Sequence, residues 1–103
     1  MRILIASKTL EITTAMREFA HEQALKLDKL GQRISKVQVF LDQRVAKSKR
    51  DRNALVKYVV NLPGKTIVIK TKAADMYDAI VDATDKVFRQ TRKFKEKRLT
   101  KQR

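Results

Sequence analysis

Pro63-Gly64 sits between two runs that alternate apolar and polar residues, and this stretch restricts the possible fold more than any other. Before it, Val56, Tyr58, Val60 and Leu62 alternate with Lys57, Val59 and Asn61; after it, Ile67 and Ile69 alternate with Val68 and Lys70. A period of two belongs to a β-strand with one covered face. Pro presets φ and Gly takes φ > 0 at adjacent turn positions, so the pair predicts a tight turn and an antiparallel hairpin. Val37, Val39 and Leu41 alternate with Gln38 and Phe40 upstream. Three consecutive strands predict a meander. A lone hairpin is marginal in water, so its apolar face needs cover.

Two helical patterns supply that cover. Between Thr13 and Leu30, the residues Met16, Phe19, Ala20, Leu27 and Leu30 fall on one side of a helix, with Ile12 leading in and Gly31 as the expected stop. From Asp75, a good N-cap, to at least Phe94, the residues Tyr77, Ile80, Val81, Thr84, Val87, Phe88 and Thr91 make one stripe. Arg2 to Ala6 reads as a short strand with Ile3 and Ile5 on one face. The order is therefore β-α-β-β-β-α. A β-α-β opening favours a right-handed crossover, which makes the first two strands parallel. The expected fold class is α+β, a four-stranded sheet with two helices packed on one face. At 103 residues this is one domain. Ile, Leu, Val and Phe well exceed the roughly 20% below which a highly charged chain stays unfolded.

The charge is lopsided: 25 Lys and Arg against 11 Asp and Glu leave a net +14. So dense a charge repels itself, and its natural counterpart is a polyanion. Half of it lies in residues 42–72, where Arg44, Lys47, Lys49, Arg50 and Arg52 cluster in the segment joining strands two and three. That segment has no apolar period and is expected to be mobile.

The last helix opens on Asp75, Asp78, Asp82 and Asp85 and closes on Lys86, Arg89, Arg92, Lys93, Lys95, Lys97, Arg98, Lys101 and Arg103 against Glu96 alone. Macrodipole compensation, about 0.3–1 kcal/mol per well-placed charge, accounts for the gradient, and Asp82–Lys86 and Asp85–Arg89 have i,i+4 spacing. It does not need eight Lys and Arg among the last 15 residues. At about 100° per residue, Lys86, Arg89, Lys93 and Lys97 fall within about 80° of one another opposite the Ile80 stripe, a solvent-facing basic ridge. Arg92 lies toward the stripe's edge. Lys26 and Lys29, about 60° apart and away from the core on the first helix, are expected to extend the same basic surface.

Catalytic and metal chemistry find little to work with. The four Asp lack His or Cys partners and read as capping and pairing residues, not as ligands for a hard ion. His21, the only His, lies on a helix flank beside Glu18 and Glu22. Gly31 and Gly64 are the only glycines, too few for a phosphate-cradling loop, and Ser7, Ser35 and Ser48 have no convergent base. Tyr58 and Tyr77 read as core-facing packing residues. Cys is absent, so neither a disulfide framework nor a thiol nucleophile is available. No enzyme activity, metal or cofactor is expected. The MRILIAS start is too short an apolar run for a signal peptide, and no stretch approaches the roughly 20 apolar residues of a membrane span. The expectation is a cytoplasmic protein with no membrane partner. An RNA-recognition sheet needs exposed aromatics on its central strands, whereas the outward face here offers Phe40, Leu4, Val59 and Val68. A double-stranded-RNA-binding domain shares the α-β-β-β-α portion but not the first strand.

Three segments are more specific. Leu10-Glu11-Ile12-Thr13-Thr14-Ala15-Met16-Arg17-Glu18-Phe19, then Lys26-Leu27-Asp28-Lys29-Leu30, and Asp75-Met76-Tyr77-Asp78-Ala79-Ile80 running on to Asp85-Lys86, Arg89-Gln90, Lys93, Lys95 and Lys97, strongly resemble the bacterial ribosome hibernation promoting factor and ribosome-associated inhibitor A family. The resemblance covers nearly the whole chain, and its most specific piece is DMYDAI followed by DKVFRQ. It implies a stress or stationary-phase factor that binds the small ribosomal subunit and its rRNA between head and body. There it would occlude the mRNA and tRNA channel and silence translation. It further implies phosphate contacts from Lys26 and Lys29 and from Lys86, Arg89, Lys93 and Lys97, with Arg92 a less central addition. Residues 1–94 are expected to form a single ribosome-binding domain and 95–103 a basic C-terminal tail. The chain resembles the family's short form, a monomer when free, with 70S and paired 100S ribosomes as further partners. The basic 44–52 segment exceeds what the family leads one to expect. Two other readings remain: a general double-stranded-RNA binder, from charge and partial topology, and a protein-interaction module using the sheet's outer face, including Phe40 and Val68.

Overall fold

Gly64 adopts φ +76°, the left-handed region that a Pro-Gly turn requires, and the turn joins β3 (Ala54–Leu62) to β4 (Lys65–Ala73) as an antiparallel hairpin. The computed structural model describes residues 1–9, 11–30, 33–44 and 53–101, with side chains to residue 94. β2 (Lys36–Gln43) pairs antiparallel with β3, and β1 (Arg2–Ala6) pairs parallel with β2, giving the spatial order β1-β2-β3-β4. α1 (Thr14–Leu25) provides the crossover, and α2 (Met76–Lys101) follows β4. This is the expected α+β architecture, a four-stranded sheet with two helices. The anticipated Gly31 stop lies outside the described residues.

The inward face follows the sequence period. Val37, Val39 and Leu41 of β2, Val56, Tyr58 and Val60 of β3 and Ile67 of β4 are buried against Ala20, Ala24 and Leu27 of the first helical segment and Ala79, Ile80, Ala83 and Val87 of α2. Thr13 caps α1 by accepting the Met16 N–H at 3.1 Å, and Asp75 caps α2 by accepting the Tyr77 N–H at 2.7 Å. Thr71 of β4 donates to the Ala79 carbonyl at 2.9 Å, tying the helix to the edge strand.

Two helical expectations need correction. The first helix does not run as α-helix to Leu30: it ends at Leu25 and continues as a five-residue 3-10 helix, Lys26–Leu30. Lys26 N–H already bonds the Gln23 carbonyl, a three-residue step. In a 3-10 helix residues three apart eclipse, so Leu27 and Leu30 share the buried edge while Lys26 and Lys29 share an exposed one, not splayed about 60° apart.

The stripe on α2 is also rotated from the one anticipated. Met76, Ala79, Ile80, Ala83, Thr84, Val87 and Thr91 are buried, whereas Tyr77 and Val81 are 39% and 46% exposed. The small Ala79 and Ala83 let the helix approach the sheet closely, which turns Tyr77 and Val81 toward α1. Tyr77 packs edge-on against Phe19 with ring centroids 5.0 Å apart, so it packs between helices and not into the core.

Candidate nucleic-acid interface

α2 lies along β4 in the opposite direction. By Phe94 it has spanned the strand, since Lys65, the first residue of β4, holds its ammonium 5.3 Å from the Phe94 ring centroid. The helix continues to Lys101, in keeping with the periodicity that carried it to at least Phe94. Four of the seven residues after Phe94 are Lys or Arg, against Glu96 alone, while its opening turns carry the Asp residues. The charge gradient is therefore an axis across the molecule.

Among the expected ridge residues, Lys86, Arg89, Arg92 and Lys93 are all exposed. The Lys97 side chain lies outside the described residues. Lys86 pairs with Asp82 at 3.3 Å and Arg89 with Asp85 at 2.6 Å, both across one helical turn as the spacing predicted. Such exposed pairs are worth about 0.2–1 kcal/mol, so a phosphate can replace the carboxylate at little cost. The rotation of α2 moves the outward pole of the helix to the Asp85–Arg89 region. Lys86 and Lys93 lie on the flank away from α1, and Arg92 lies on the flank toward it.

Lys26 and Lys29 do not simply extend this ridge. With Gln23 they line a groove of about 580 Å³ between the helices, and its opposite wall is Asp78, Val81, Asp82, Thr84, Asp85 and Phe88. Lys26 donates to the Gln23 side-chain oxygen at 3.1 Å. Acid on one wall faces base on the other, so the positive charge within the groove is partly offset. Of the basic cluster between strands two and three, only Arg44 is described; its N–H donates to the Asn53 carbonyl at 2.9 Å. Lys47, Lys49, Arg50 and Arg52 lie outside the described residues. His21 is exposed over a shallow hollow with Arg17, Glu18 and Glu22.

The outer face of the sheet carries a feature that sequence reading passed over. Strand register places Phe40, Lys57 and Lys70 in one row across three strands, with Leu55 and Lys72 paired in the next. Around them lies a hollow of about 420 Å³, which Arg44 and Asp42 also line. The alternation showed each of these residues to point outward; their convergence depends on register. Among the described residues no helix is long and apolar enough to cross a membrane.

Fold and charge thus define a small basic domain of the β-α-β-β-β-α type. Residues 3–99 match the family described as sigma 54 modulation protein / S30EA ribosomal protein, and the chain belongs to that family. Its relatives include the ribosome hibernation promoting factor of Escherichia coli (strain K12), 34% identical over 97 residues that cover 94% of this chain and 96% of that protein. The ribosome hibernation promotion factor of Deinococcus radiodurans is 37% identical over 91 residues, 88% of this chain, and this chain spans about half of it, 47%. The crystal structure of the Thermus thermophilus Protein Y N-terminal domain superposes with a TM-score of 0.77 at 29% identity, covering 91% of this chain and 99% of that one.

Proposed function

We propose that this protein is a ribosome hibernation factor that binds the small subunit through the basic end of its helical layer and silences translation by occupying the mRNA and tRNA channel. The observation that carries the site is the exposed run Arg89, Arg92 and Lys93, beyond which α2 continues through a Lys- and Arg-rich stretch to Lys101. Lys86 contributes from the flank it shares with Lys93, and Lys97 follows in sequence. Lys26 and Lys29 flank the site across the groove, held near it by the eclipsed 3-10 geometry. Residues 1–94 form the ribosome-binding unit in this reading and 95–103 a basic extension. The partner is rRNA phosphate and the mechanism is occlusion, with no chemical step. The chain would act in the cytoplasm, where ribosomes are, on 70S particles and on paired 100S particles.

Co-sedimentation with small subunits at moderate salt tests this. Wild type is expected to travel with the subunit and to inhibit cell-free translation, and Lys86→Glu/Arg89→Glu/Lys93→Glu to do neither. About five phosphate contacts imply that log K falls against log salt with a slope of roughly −3 to −5. Undiminished inhibition by the triple variant would move the site elsewhere. Excess duplex RNA should leave the complex intact; stripping it would favour a general double-stranded-RNA binder.

A further inference from the structure

Among the described residues nothing covers the face of the sheet opposite the helical layer, and that face is not neutral. Lys57 and Lys70 are directly opposed across β3 and β4, and Lys72 follows Lys70 two residues along the same strand and face. Like charges directly opposite destabilise a sheet by a few tenths of a kcal/mol to about 1 kcal/mol, so the arrangement costs stability that a bound anion would return. Arg44, next in the outward alternation after Phe40 and Asp42, adds a fourth cation to the same hollow. Among the described residues one carboxylate, Asp42, lines it against four cations, and its Oδ1 is held by the chain after β1, accepting the Lys8 N–H at 2.9 Å, the Thr9 hydroxyl at 3.2 Å and the Ser7 hydroxyl at 3.3 Å.

The half-buried Phe40 lies on this row, and the Lys57 ammonium stands 5.8 Å from its ring centroid. The ammonium stands over the ring, and once the flexible Lys57 side chain swings from the ring to a phosphate the pair presents what a nucleotide takes up, a stacking surface for the base and a charge for the phosphate. The hollow, about 420 Å³, is of the size that holds a small ligand. It opens at the end of the sheet where β2 gives way to Arg44 and where α2 begins, the end remote from the basic end of α2.

We propose that this outer-face hollow is a second binding site, for a single-stranded RNA segment, with one base stacked on Phe40 and flanking phosphates held by Lys57, Lys70, Lys72 and Arg44. The site goes beyond the helix-borne contact, because it uses none of the α2 cations and stands or falls independently of them. Duplex RNA is excluded because its bases are already stacked and cannot reach the ring. A protein ligand would instead use the apolar Val59–Val68 pair in the neighbouring row and ignore the lysines.

The test uses the full chain with fluorescein-labelled decauridine, and a duplex of equal length as comparison. The chain has no Trp, so Phe40→Trp introduces a single reporter whose emission a stacked base quenches. The expected result is saturable quenching by decauridine and none by the duplex. By fluorescence anisotropy, Lys57→Gln/Lys70→Gln/Lys72→Gln should weaken decauridine binding at least tenfold and reduce the salt slope by about 2, since each single-strand phosphate contact contributes about 0.7. Phe40→Leu, which keeps the fold's apolar contact, should cost between about fivefold and a hundredfold. Lys86→Gln/Arg89→Gln/Lys93→Gln should leave the Phe40→Trp quenching unchanged. If lysine and Phe40 variants bind as wild type does, or if quenching disappears only with the α2 substitutions, the second site does not exist. A bound peptide displaced by Val68→Ser and indifferent to the lysines and to salt would equally overturn the RNA assignment. Photocrosslinking wild type to a 4-thiouridine decamer adds a readout independent of variant folding: the crosslink is expected on the β2 peptide containing Phe40, and one confined to α2 would refute the site.

Discussion

Two buried hydroxyl groups on one face of α2 have opposite situations. Thr84 donates to the Ile80 carbonyl at 2.7 Å, which leaves its oxygen to accept from Tyr58, also at 2.7 Å. Thr91, seven residues on and fully buried, has a hydroxyl without a partner. Removing the Tyr58 hydroxyl as Tyr58→Phe should lower stability by about 0.5–1.5 kcal/mol, and Thr91→Val should leave it unchanged or raise it by up to about 1 kcal/mol. Urea midpoints measure both. Burial pushes the Tyr58 phenol up from 10.0 to about 12, outweighing the Thr84 hydrogen bond. A raised folded-state value means that the neutral phenol's contribution is complete below pH 10 and is lost as pH rises toward 12. Wild type is therefore expected to lose stability over that window more steeply than Tyr58→Phe. Asp42 has the reverse sign. The Lys8 N–H, helped by the Thr9 and Ser7 hydroxyls and opposed by desolvation, holds its carboxyl below the ordinary 3.8. Its contribution is present at neutral pH and fades as pH falls through 3.8 and below. Asp42→Ala should cost about 1–3 kcal/mol at neutral pH and flatten the acid limb of the stability profile.

At the scale of elements, α2 combines two tasks that conflict on its outer surface. Its opening carboxylates cap the helix and complement its dipole, but they also neutralise Lys86 and Arg89 and face Lys26 and Lys29 across the groove. Replacing two of them as Asp82→Asn/Asp85→Asn removes exposed ion pairs worth only a few tenths of a kcal/mol each, so thermal stability should fall by less than about 1 kcal/mol. Ribosome affinity should rise, and rise most at low salt, because Lys86 and Arg89 no longer share their charge. Sedimentation across a salt series checks this. Lower affinity would mean that the carboxylates orient the cations. The 3-10 segment shows how an element alters a site without changing its residues: tightening from about 3.6 to about 3 residues per turn brings Lys26 and Lys29 into line.

Across the whole molecule the charge is divided between two faces and two ends of one sheet. The helical layer is basic where α2 outruns β4, and the outer face is basic where β2 and β3 approach the Arg44–Asn53 closure. Neutralising the last cations of α2 as Lys95→Gln/Lys97→Gln/Arg98→Gln/Lys101→Gln should leave the urea midpoint nearly unchanged while weakening ribosome binding and flattening its salt dependence. An unchanged salt slope would place the phosphate contacts nearer the helix centre. The same variant, scored for single against paired ribosomes on a gradient, reads whether this end governs pairing.

The four strands with their inward faces, the Pro63-Gly64 turn, the N-cap at Asp75 and the ion pairs at i,i+4 were all legible in the linear chain. Each is decided by backbone geometry within a few residues, where a period of two or of 3.6 leaves its mark directly on the side-chain order. The basic character of the late α2 turns was legible for the same reason. What tertiary structure alone decided is the rotation of α2 about its axis and the register of β2, β3 and β4. The first depends on how closely Ala79 and Ala83 let the helix approach the sheet, and it moved Tyr77 and Val81 out of the core. The second brought Phe40, Lys57 and Lys70 into one row, although Phe40 and Lys70 are thirty positions apart. Both are set by side-chain volumes and pairings between distant segments, and no local period encodes them.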